Sequence, residues 1–302
     1  MVSKVINVSI GLICQKGQIL IGWRDESLHQ GGCFEFPGGK VEPNETAQDA
    51  VVREVKEETG LEIDLVQLFH EESYEYPDRH VHLFFYMCHT DQNIPQPFER
   101  IWQWAALDQL KKFKFPAANA KIIERLSWPR SLGIVLATEH QVAEDVGLCY
   151  LKIDFNSITE VEKAIEFYFT QGVQLILNYQ YYQKLNEALK QKIFAVHFNG
   201  QQLHQYQHKP TELKNINLIV ACHDLNDIAQ ANKLACDAIF LSPVNSTTSH
   251  PNQDGMGWDN FQKIIQDTHL LVYALGGVQR IDLKKAQSYG GYGVAGIRDF
   301  IS

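Results

Sequence analysis

Apolar and polar residues alternate with a period of two over residues 5–13 and again over 18–23, with Gln15-Lys16-Gly17 between the runs. Such alternation in β-branched sequence predicts a hairpin whose turn holds the glycine. The spacing becomes helical over residues 46–59 and stops at Gly60, a helix C-cap position. Residues 81–88, after a Pro-Asp turn, read as a further strand, and residues 118–126 as a last helix. The run Ser127-Trp128-Pro129-Arg130-Ser131 then breaks the rhythm. Beyond it, short apolar runs alternate with amphipathic segments, at 132–137, 148–153, 173–177, 193–198, 218–221, 238–241, 270–275 and 293–295. That repetition predicts a parallel (β/α) sheet or barrel. The roughly 170 residues available are fewer than the 200 or more usual for such a barrel, so its connections must be short or some helices absent. The expected division is a first domain at 1–127, a linker at 128–131 and a second domain at 132–302.

Composition narrows the class without moving these boundaries. Hydrophobic residues make up 45% and charged residues 21% of the chain, a globular balance rather than a disordered one. The 36 acidic against 27 basic side chains give a net charge of −9, which argues against a nucleic-acid polymer as partner. A small phosphorylated ligand is still compatible, because a divalent cation held by carboxylates supplies positive charge locally. The cysteines Cys14, Cys33, Cys88, Cys149, Cys222 and Cys236 lack the paired spacing of a zinc site and read as free thiols in a reducing cytoplasm. No signal-peptide pattern and no apolar run of about 18 residues occurs, so the expectation is a soluble cytoplasmic protein with no membrane partner.

The carboxylates of interest lie in the helix of residues 46–59. At about 100° per residue, Ala47, Val51 and Val55 form an apolar stripe, and Glu54, Glu57 and Glu58 fall in one sector beside it. Three carboxylates at that spacing repel one another, and turning them toward a packed face adds a desolvation cost that positive charge must offset. Oxygen-rich acidic clusters suit Mg²⁺ or Mn²⁺. An isolated acidic run is more often a solvated helix face, but the spacing around this one shifts the balance. Gly39, five residues, Glu45, seven residues, Arg53-Glu54, an aliphatic, one residue, Glu57-Glu58, one residue, Gly60 and an aliphatic satisfy the Nudix box at every position. At average residue frequencies the chance of that match in such a chain is on the order of 10⁻⁷.

The first domain therefore resembles the Nudix hydrolases. Within them it is similar to the MutT branch, the 8-oxo-dGTP diphosphatases. Phe34-Glu35-Phe36-Pro37-Gly38-Gly39-Lys40 precedes the helix as in that branch. Tyr74-Glu75-Tyr76-Pro77-Asp78-Arg79-His80 resembles its Tyr-x-Phe-Pro-Asp-Arg segment, and Phe115-Pro116-Ala117-Ala118-Asn119 its Phe-Pro-Pro-Ala-Asn segment. The resemblance covers about residues 3–127 and implies an α/β/α sandwich with a mixed sheet. It implies that Glu54, Glu57 and Glu58, with the backbone of Gly39, hold Mg²⁺ or Mn²⁺. Arg53 would hold a Glu carboxylate, or with Glu45 pin the loop to the helix. Water would attack phosphorus without a covalent intermediate.

Carried over residue by residue, Asn119 reads the base, Phe36 offers its backbone, and Arg24 and Arg79 contact the nucleotide. Oxidised guanine presents an O6 acceptor and an N7–H donor, which one carboxamide satisfies; unoxidised guanine has a bare N7 acceptor, and an unpaired buried acceptor costs about 1–3 kcal/mol. A helix N-cap is the alternative role for Asn119, and the two can coexist. One departure concerns a Glu that the branch carries six residues before a Trp. Here Glu99 stands five before Trp104, and it is the candidate for a further metal ligand or the base, with Glu54, Glu57 or Glu58 as the alternative base.

From about residue 132 the chain resembles thiamine-phosphate synthase, a TIM barrel, which implies a small (β/α)₈ domain. His197-Phe198-Asn199-Gly200-Gln201, Ala221-Cys222-His223, the segment 237–244 and Leu275-Gly276-Gly277-Val278 carry the likeness. Gly276-Gly277 reads as a phosphate-binding turn, with Ser242 nearby. The catalytic groups differ. Only Lys152 is left of a strand-end Gln-x-Arg-x-Lys, Asn178-Tyr179-Gln180 replaces Asn-Asp-Arg, a second metal-binding Asp is replaced near Gln202, and Ser249-His250-Pro251 replaces Thr-Lys-Pro. Loss of both metal carboxylates removes the groups that would neutralise a leaving diphosphate, so no synthase activity is expected. The overall expectation is a Nudix pyrophosphohydrolase that takes 8-oxo-dGTP to 8-oxo-dGMP and diphosphate. The alternatives are a Nudix hydrolase of another nucleoside or thiamine-related diphosphate, and a non-catalytic regulator that binds a phosphorylated ligand.

Overall fold

The computed structural model describes residues 5–15, 17–27, 31–93, 102–246, 254–266 and 268–301. The chain divides into two compact units, Met1–Trp128 and Pro129–Ser302.

In the first unit, β1 (Ile6–Gln15) and β2 (Gln18–Arg24) form the hairpin foreseen from the alternation, closing at Gln15 opposite Gln18. They are followed by β3 (Cys33–Glu35), β4 (Gly38–Lys40), α1 (Ala47–Thr59), β5 (Asp64–Tyr76), β6 (Arg79–His89), β7 (Trp102–Ala106) and α2 (Ala120–Leu126). The sheet runs β3-β2-β1-β6-β5, with β4 paired to β1 and β7 to β2. It is mixed, because β1 and β6 are parallel and the other pairs antiparallel.

Period-two alternation assigns its two faces. Ile13, Tyr86 and Cys88 pack with Val51 and Val55 of α1. Ile10, Leu12, Leu83 and Phe85 turn the other way, against Ile122, Ile123 and Leu126 of α2. This is the expected α/β/α sandwich. The sequence pattern had not announced β5, whose residues include Glu71, Glu72, Ser73 and Glu75. As an edge strand it has one neighbour, so its apolar signal is diluted. The last helix is shorter than expected, a 3₁₀ turn at Ala117–Asn119 preceding α2.

In the second unit each of the apolar runs is a strand: β8 (Ser131–Val135), β9 (Leu148–Leu151), β10 (Gln174–Asn178), β11 (Ile193–Phe198), β12 (Asn217–Cys222), β13 (Ala238–Leu241), β14 (Leu271–Ala274) and β15 (Gly293–Gly296). They are parallel and close into an eight-stranded barrel, β15 pairing with β8. The helices are α3 (Ile158–Thr170), α4 (Tyr179–Tyr182), α5 (Glu187–Lys190), α6 (Gly200–Gln205), α7 (Leu225–Lys233), α8 (Trp258–Ile265) and α9 (Leu283–Ser288). Residues 136–147, between β8 and β9, carry no helix, and several others are one or two turns long. This is how a short chain closes a full barrel.

Val196, Phe198, Val220 and Leu241 face the helices. The alternate residues Tyr150, His197, Phe240 and Tyr273 form a connected aromatic cluster. Pro129 and Arg130 are tied to the barrel: the Tyr273 hydroxyl donates to the Pro129 carbonyl at 2.6 Å, and the Arg130 guanidinium lies 3.7 Å above the Tyr292 ring. All six cysteines are free thiols. Among the described residues no helix is long and apolar enough to cross a membrane.

Candidate active site

The acidic helix is fixed at both ends. Thr46 forms a reciprocal capping box with Asp49, and Gly60 adopts the left-handed conformation (φ 69°) with its amide bonded to Lys56 O. Near its end the Trp102 indole of β7 donates to Glu58 O at 3.0 Å. These contacts set the helix so that its acidic side meets the Gly38-Gly39 segment.

Arg53 is the centre of the charged arrangement. Its guanidinium donates to Glu45 at 2.7 and 3.2 Å, to Glu54 at 2.9 Å, to Glu57 at 3.2 Å and to the Lys40 carbonyl at 3.2 Å. Glu45 also accepts the Glu42 amide at 2.6 Å. The Arg53 partnership and that amide bond hold the Glu45 carboxyl below its ordinary pKa, and the Glu45 and Glu54 carboxylates push the guanidinium of Arg53 up. Both roles foreseen for Arg53 are therefore present geometrically: it holds Glu54 and it pins the loop of residues 40–45.

Glu58 turns elsewhere and accepts the Gly38 amide at 2.9 Å. Among the described residues, no three His, Cys, Asp or Glu side chains converge as a ready-made metal centre. The box shows why: Arg53 draws Glu54 and Glu57 to itself, whereas Glu58 faces Gly38.

The donor set nonetheless suits a hard divalent cation, since it consists of carboxylate oxygens and nearby backbone. A Cβ added at Gly39 would lie 2.3 Å from the Glu54 carboxylate. Only glycine lets the backbone come that near the acid. Glu54 is about five-sixths buried, with 17% of its side chain exposed, whereas Glu57 is open to solvent at 61%. Glu99 lies outside the described residues.

The proposed nucleotide contacts lie about β2, β3 and the start of α2. Arg24 pairs with Glu35 at 2.6 Å across the β2–β3 ladder. Phe36 is buried and stacks on Phe115, with ring centroids 5.1 Å apart. Phe36, Ala118 and Ile122 belong to one cluster, against which Tyr74, Tyr76 and Phe115 pack. Asn119 is buried at the head of α2 and makes no side-chain capping bond. Asn119 thus occupies the N-cap position of α2 without supplying the side-chain bond of a cap. Arg79, at the β5–β6 turn, pairs with its neighbour Asp78 at 2.8 Å. Two residues escaped the sequence reading, Glu35 as the partner of Arg24 and Tyr76 as a neighbour of the Ala118–Asn119 turn. Both sit inside recognised segments but needed the cross-strand register to acquire a role.

In the barrel, Ser242, Gly276 and Gly277 follow the sixth and seventh strands and are brought together. Val244 and Asn245 donate their amides to Leu275 O and Gly276 O, both at 2.9 Å, and the Asn245 carboxamide donates to Gly277 O. Ser242 O accepts the His223 ring at 2.7 Å. Gly277 has φ 63°, and a Cβ there would lie 2.7 Å from Ser246 O. The carboxylate positions of the synthase resemblance are filled by neutral groups. Asn178 and Gln202 exchange amide hydrogen bonds at 3.2 and 3.3 Å, and Tyr179 is buried with its hydroxyl on Glu212. Neutral amides bonded to each other do not fit a divalent cation. Ser249-His250-Pro251 lies outside the described residues.

Residues 4–126 match the NUDIX domain family. An 8-oxo-dGTP diphosphatase of Escherichia coli (strain K12) is 36% identical over 125 residues, covering 41% of this chain and 97% of that protein. The chain belongs to the Nudix family. The 8-oxo-dGTP diphosphatase of Haemophilus influenzae is similar to the same Nudix half, at 38% identity over 41% of this chain and 92% of its own length. A CTP pyrophosphohydrolase of Escherichia coli (strain K12) is similar at 30%, over 40% and 90%. Residues 154–300 match the thiamine monophosphate synthase family, so the Nudix half is joined to a thiamine-phosphate-synthase-like barrel.

Proposed function

We propose that the Nudix half is a divalent-cation-dependent pyrophosphohydrolase that takes 8-oxo-dGTP to 8-oxo-dGMP and diphosphate, removing an oxidised base before it enters DNA. The observation that carries the reading is Asn119, whose buried carboxamide makes no capping bond and which follows Ala118, a member of the cluster that holds Phe36 and against which Phe115 packs. A carboxamide in that setting pairs with O6 and N7–H of the oxidised base together. Opposite unoxidised guanine it leaves a buried acceptor unpaired.

Glu54, Glu57 and Glu58, with the Gly39 backbone and with Glu99 as a further ligand or base, would hold the cation. Bound there, Mg²⁺ or Mn²⁺ would neutralise the diphosphate and activate water. Arg53 orients Glu54 and anchors the loop that carries Gly39. Arg24 is aimed by Glu35, and Arg79 stands at the β5–β6 turn as a further phosphate or sugar contact.

For the barrel we propose binding of a phosphorylated small molecule at Ser242, Gly276 and Gly277 without synthase chemistry. The Asn178–Gln202 amide pair supports this reading. The proposed setting is the cytoplasm, with neither a nucleic-acid polymer nor a membrane as partner.

The likeness to a CTP pyrophosphohydrolase favours one second reading, a different nucleoside triphosphate as substrate. Diphosphate release with Mg²⁺ from 8-oxo-dGTP, dGTP, CTP, ADP-ribose and thiamine diphosphate separates the readings. Preference for 8-oxo-dGTP is expected; preference for CTP would establish the second reading, and no turnover of any would favour a binding role. Glu57→Gln keeps shape and removes a ligand charge, so its metal-dependent rate should fall about a hundredfold. An unchanged rate would place the site elsewhere.

A further inference from the structure

One polar side chain is enclosed in the barrel without a partner. His197 on β11 has 4% of its surface exposed, and neither ring nitrogen is hydrogen-bonded among the described residues. A buried polar group left unpaired is costly, and a ligand that reaches it recovers the cost. Burial keeps the ring neutral, so it offers one N–H donor and one bare nitrogen acceptor. Tyr150 and Phe240 flank it, with ring centroids 4.4 and 5.5 Å away, and give flat apolar walls that suit a planar ring.

The neighbouring amide pair is built to donate. Asn178 ends β10 and stands opposite His197 in the parallel ladder. Both point into the barrel, because the adjoining Leu177, Val196 and Phe198 face the helices. The Gln180 amide donates to Asn178 Oδ1 at 3.0 Å, and the Asn199 amide to Gln202 Oε1 at 3.0 Å. A backbone amide can only donate, so these bonds fix which end of each carboxamide is oxygen. Each oxygen also accepts from the other side chain, which uses its second lone pair. The second N–H of Gln202 has no partner among the described residues. The pair can therefore give a hydrogen bond and cannot receive one, so it is suited to an acceptor atom and not to a cation. Lys152, which follows β9, adds positive charge near His197.

In the closed strand order β14 lies four places from β10, directly across the barrel. The Gly276-Gly277 turn after β14 thus faces the Asn178 end of β10 over the mouth.

We propose that the barrel mouth is a cation-independent site for a nucleoside monophosphate, the class of product released by the Nudix half, with its phosphate at Gly276-Gly277 and its base edge at Gln202 and His197. A guanine-type base carries a carbonyl beside a ring N–H, which matches an N–H donor from Gln202 and the mixed donor and acceptor of a neutral imidazole. Thiamine monophosphate carries a cationic ring, which Lys152 and an amide pair without a free acceptor disfavour. The inference rests on the phosphate-binding reading of the glycine turn and on the proposed Nudix reaction.

The test is calorimetric titration of the full chain in EDTA with 8-oxo-dGMP and with thiamine monophosphate, alongside the ¹⁵N resonances of the His197 ring. Wild type should take up two equivalents of 8-oxo-dGMP, one of them lost in Asn119→Ala, and the His197 nitrogens should shift. Gln202→Met, which removes the donor without adding charge, should weaken the other equivalent about fivefold, the effect of one lost hydrogen bond. Gln202→Glu, close in shape but anionic, should weaken it at least about tenfold. A single equivalent in wild type that Asn119→Ala removes would overturn the barrel site and leave the proposed function standing. Two equivalents that neither Gln202 variant weakens, with His197 unmoved, would overturn its location, and tighter binding of thiamine monophosphate to the barrel would overturn the ligand class. Two equivalents that both survive in Asn119→Ala, one of them weakened by the Gln202 variants, would support the barrel site and count against the reading of Asn119.

Discussion

At the scale of single residues, the geometry turns on how one cation is shared among several acids. Arg53 serves Glu45, Glu54 and Glu57 at once, so its removal releases both the loop and the carboxylate nearest Gly39. Arg53→Ala should lower kcat at least about tenfold, the scale seen for groups that orient metal ligands. Arg53→Lys should recover little, since one ammonium cannot serve three carboxylates in a fork. A steady-state assay at saturating cation checks both; full activity in Arg53→Ala would reduce the arginine to a surface ion pair. Gly39→Ala forces a Cβ onto the Glu54 carboxylate, and the cation concentration needed for half-maximal rate should rise.

The box residues were legible because their spacing is rigid along one helix and one loop. The role of Glu35 was not, because its tie to Arg24 follows from β2–β3 register, which local sequence does not specify.

At the scale of elements, the helix carrying the acids is a capped, amphipathic segment whose bounds follow from Thr46 and Gly60. Thr46→Ala removes one half of the capping box and should cost the first unit about 1 kcal/mol. Urea unfolding followed by a probe in that unit measures it, and a loss near zero would mean that packing of Val51 and Val55 alone holds the helix. All the barrel strands were readable as apolar runs, because strands buried on both faces have little polar interruption. The edge strand β5 was not, for the opposite reason. Helix lengths in the barrel were readable only as a sum: the chain was too short for full helices, but nothing local marked residues 136–147 as the connection that would lack one.

At the scale of the whole molecule, two folds share one chain; the first carries every position of the Nudix box, and the second has neutral Tyr179 and Gln202 where the synthase resemblance implies carboxylates. The barrel carries its own titration signature. His197 is wholly enclosed between Tyr150 and Phe240, and neither ring nitrogen has a hydrogen-bond partner among the described residues. Burial, helped by Lys152, pushes its pKa down to about 3. The unfolded chain takes up this proton near pH 6.5, so the stability tied to the neutral ring is full above about 6.5 and is lost progressively as the pH falls toward about 3. His197→Phe, which keeps an aromatic ring, should raise the barrel's unfolding temperature more at pH 5 than at pH 7.5. An equal effect at both values would show that the histidine does not titrate in this window.

The central claim concerns the base. The measurement that bears on it most directly is kcat/KM for 8-oxo-dGTP against dGTP, with Mg²⁺, in wild type and in Asn119→Ala. An unpaired buried acceptor of about 1–3 kcal/mol corresponds to roughly fivefold to more than a hundredfold. Wild type should therefore favour the oxidised nucleotide by at least about tenfold, and Asn119→Ala should bring the ratio close to one. Equal turnover of the two nucleotides by wild type, or undiminished discrimination by Asn119→Ala, would contradict it.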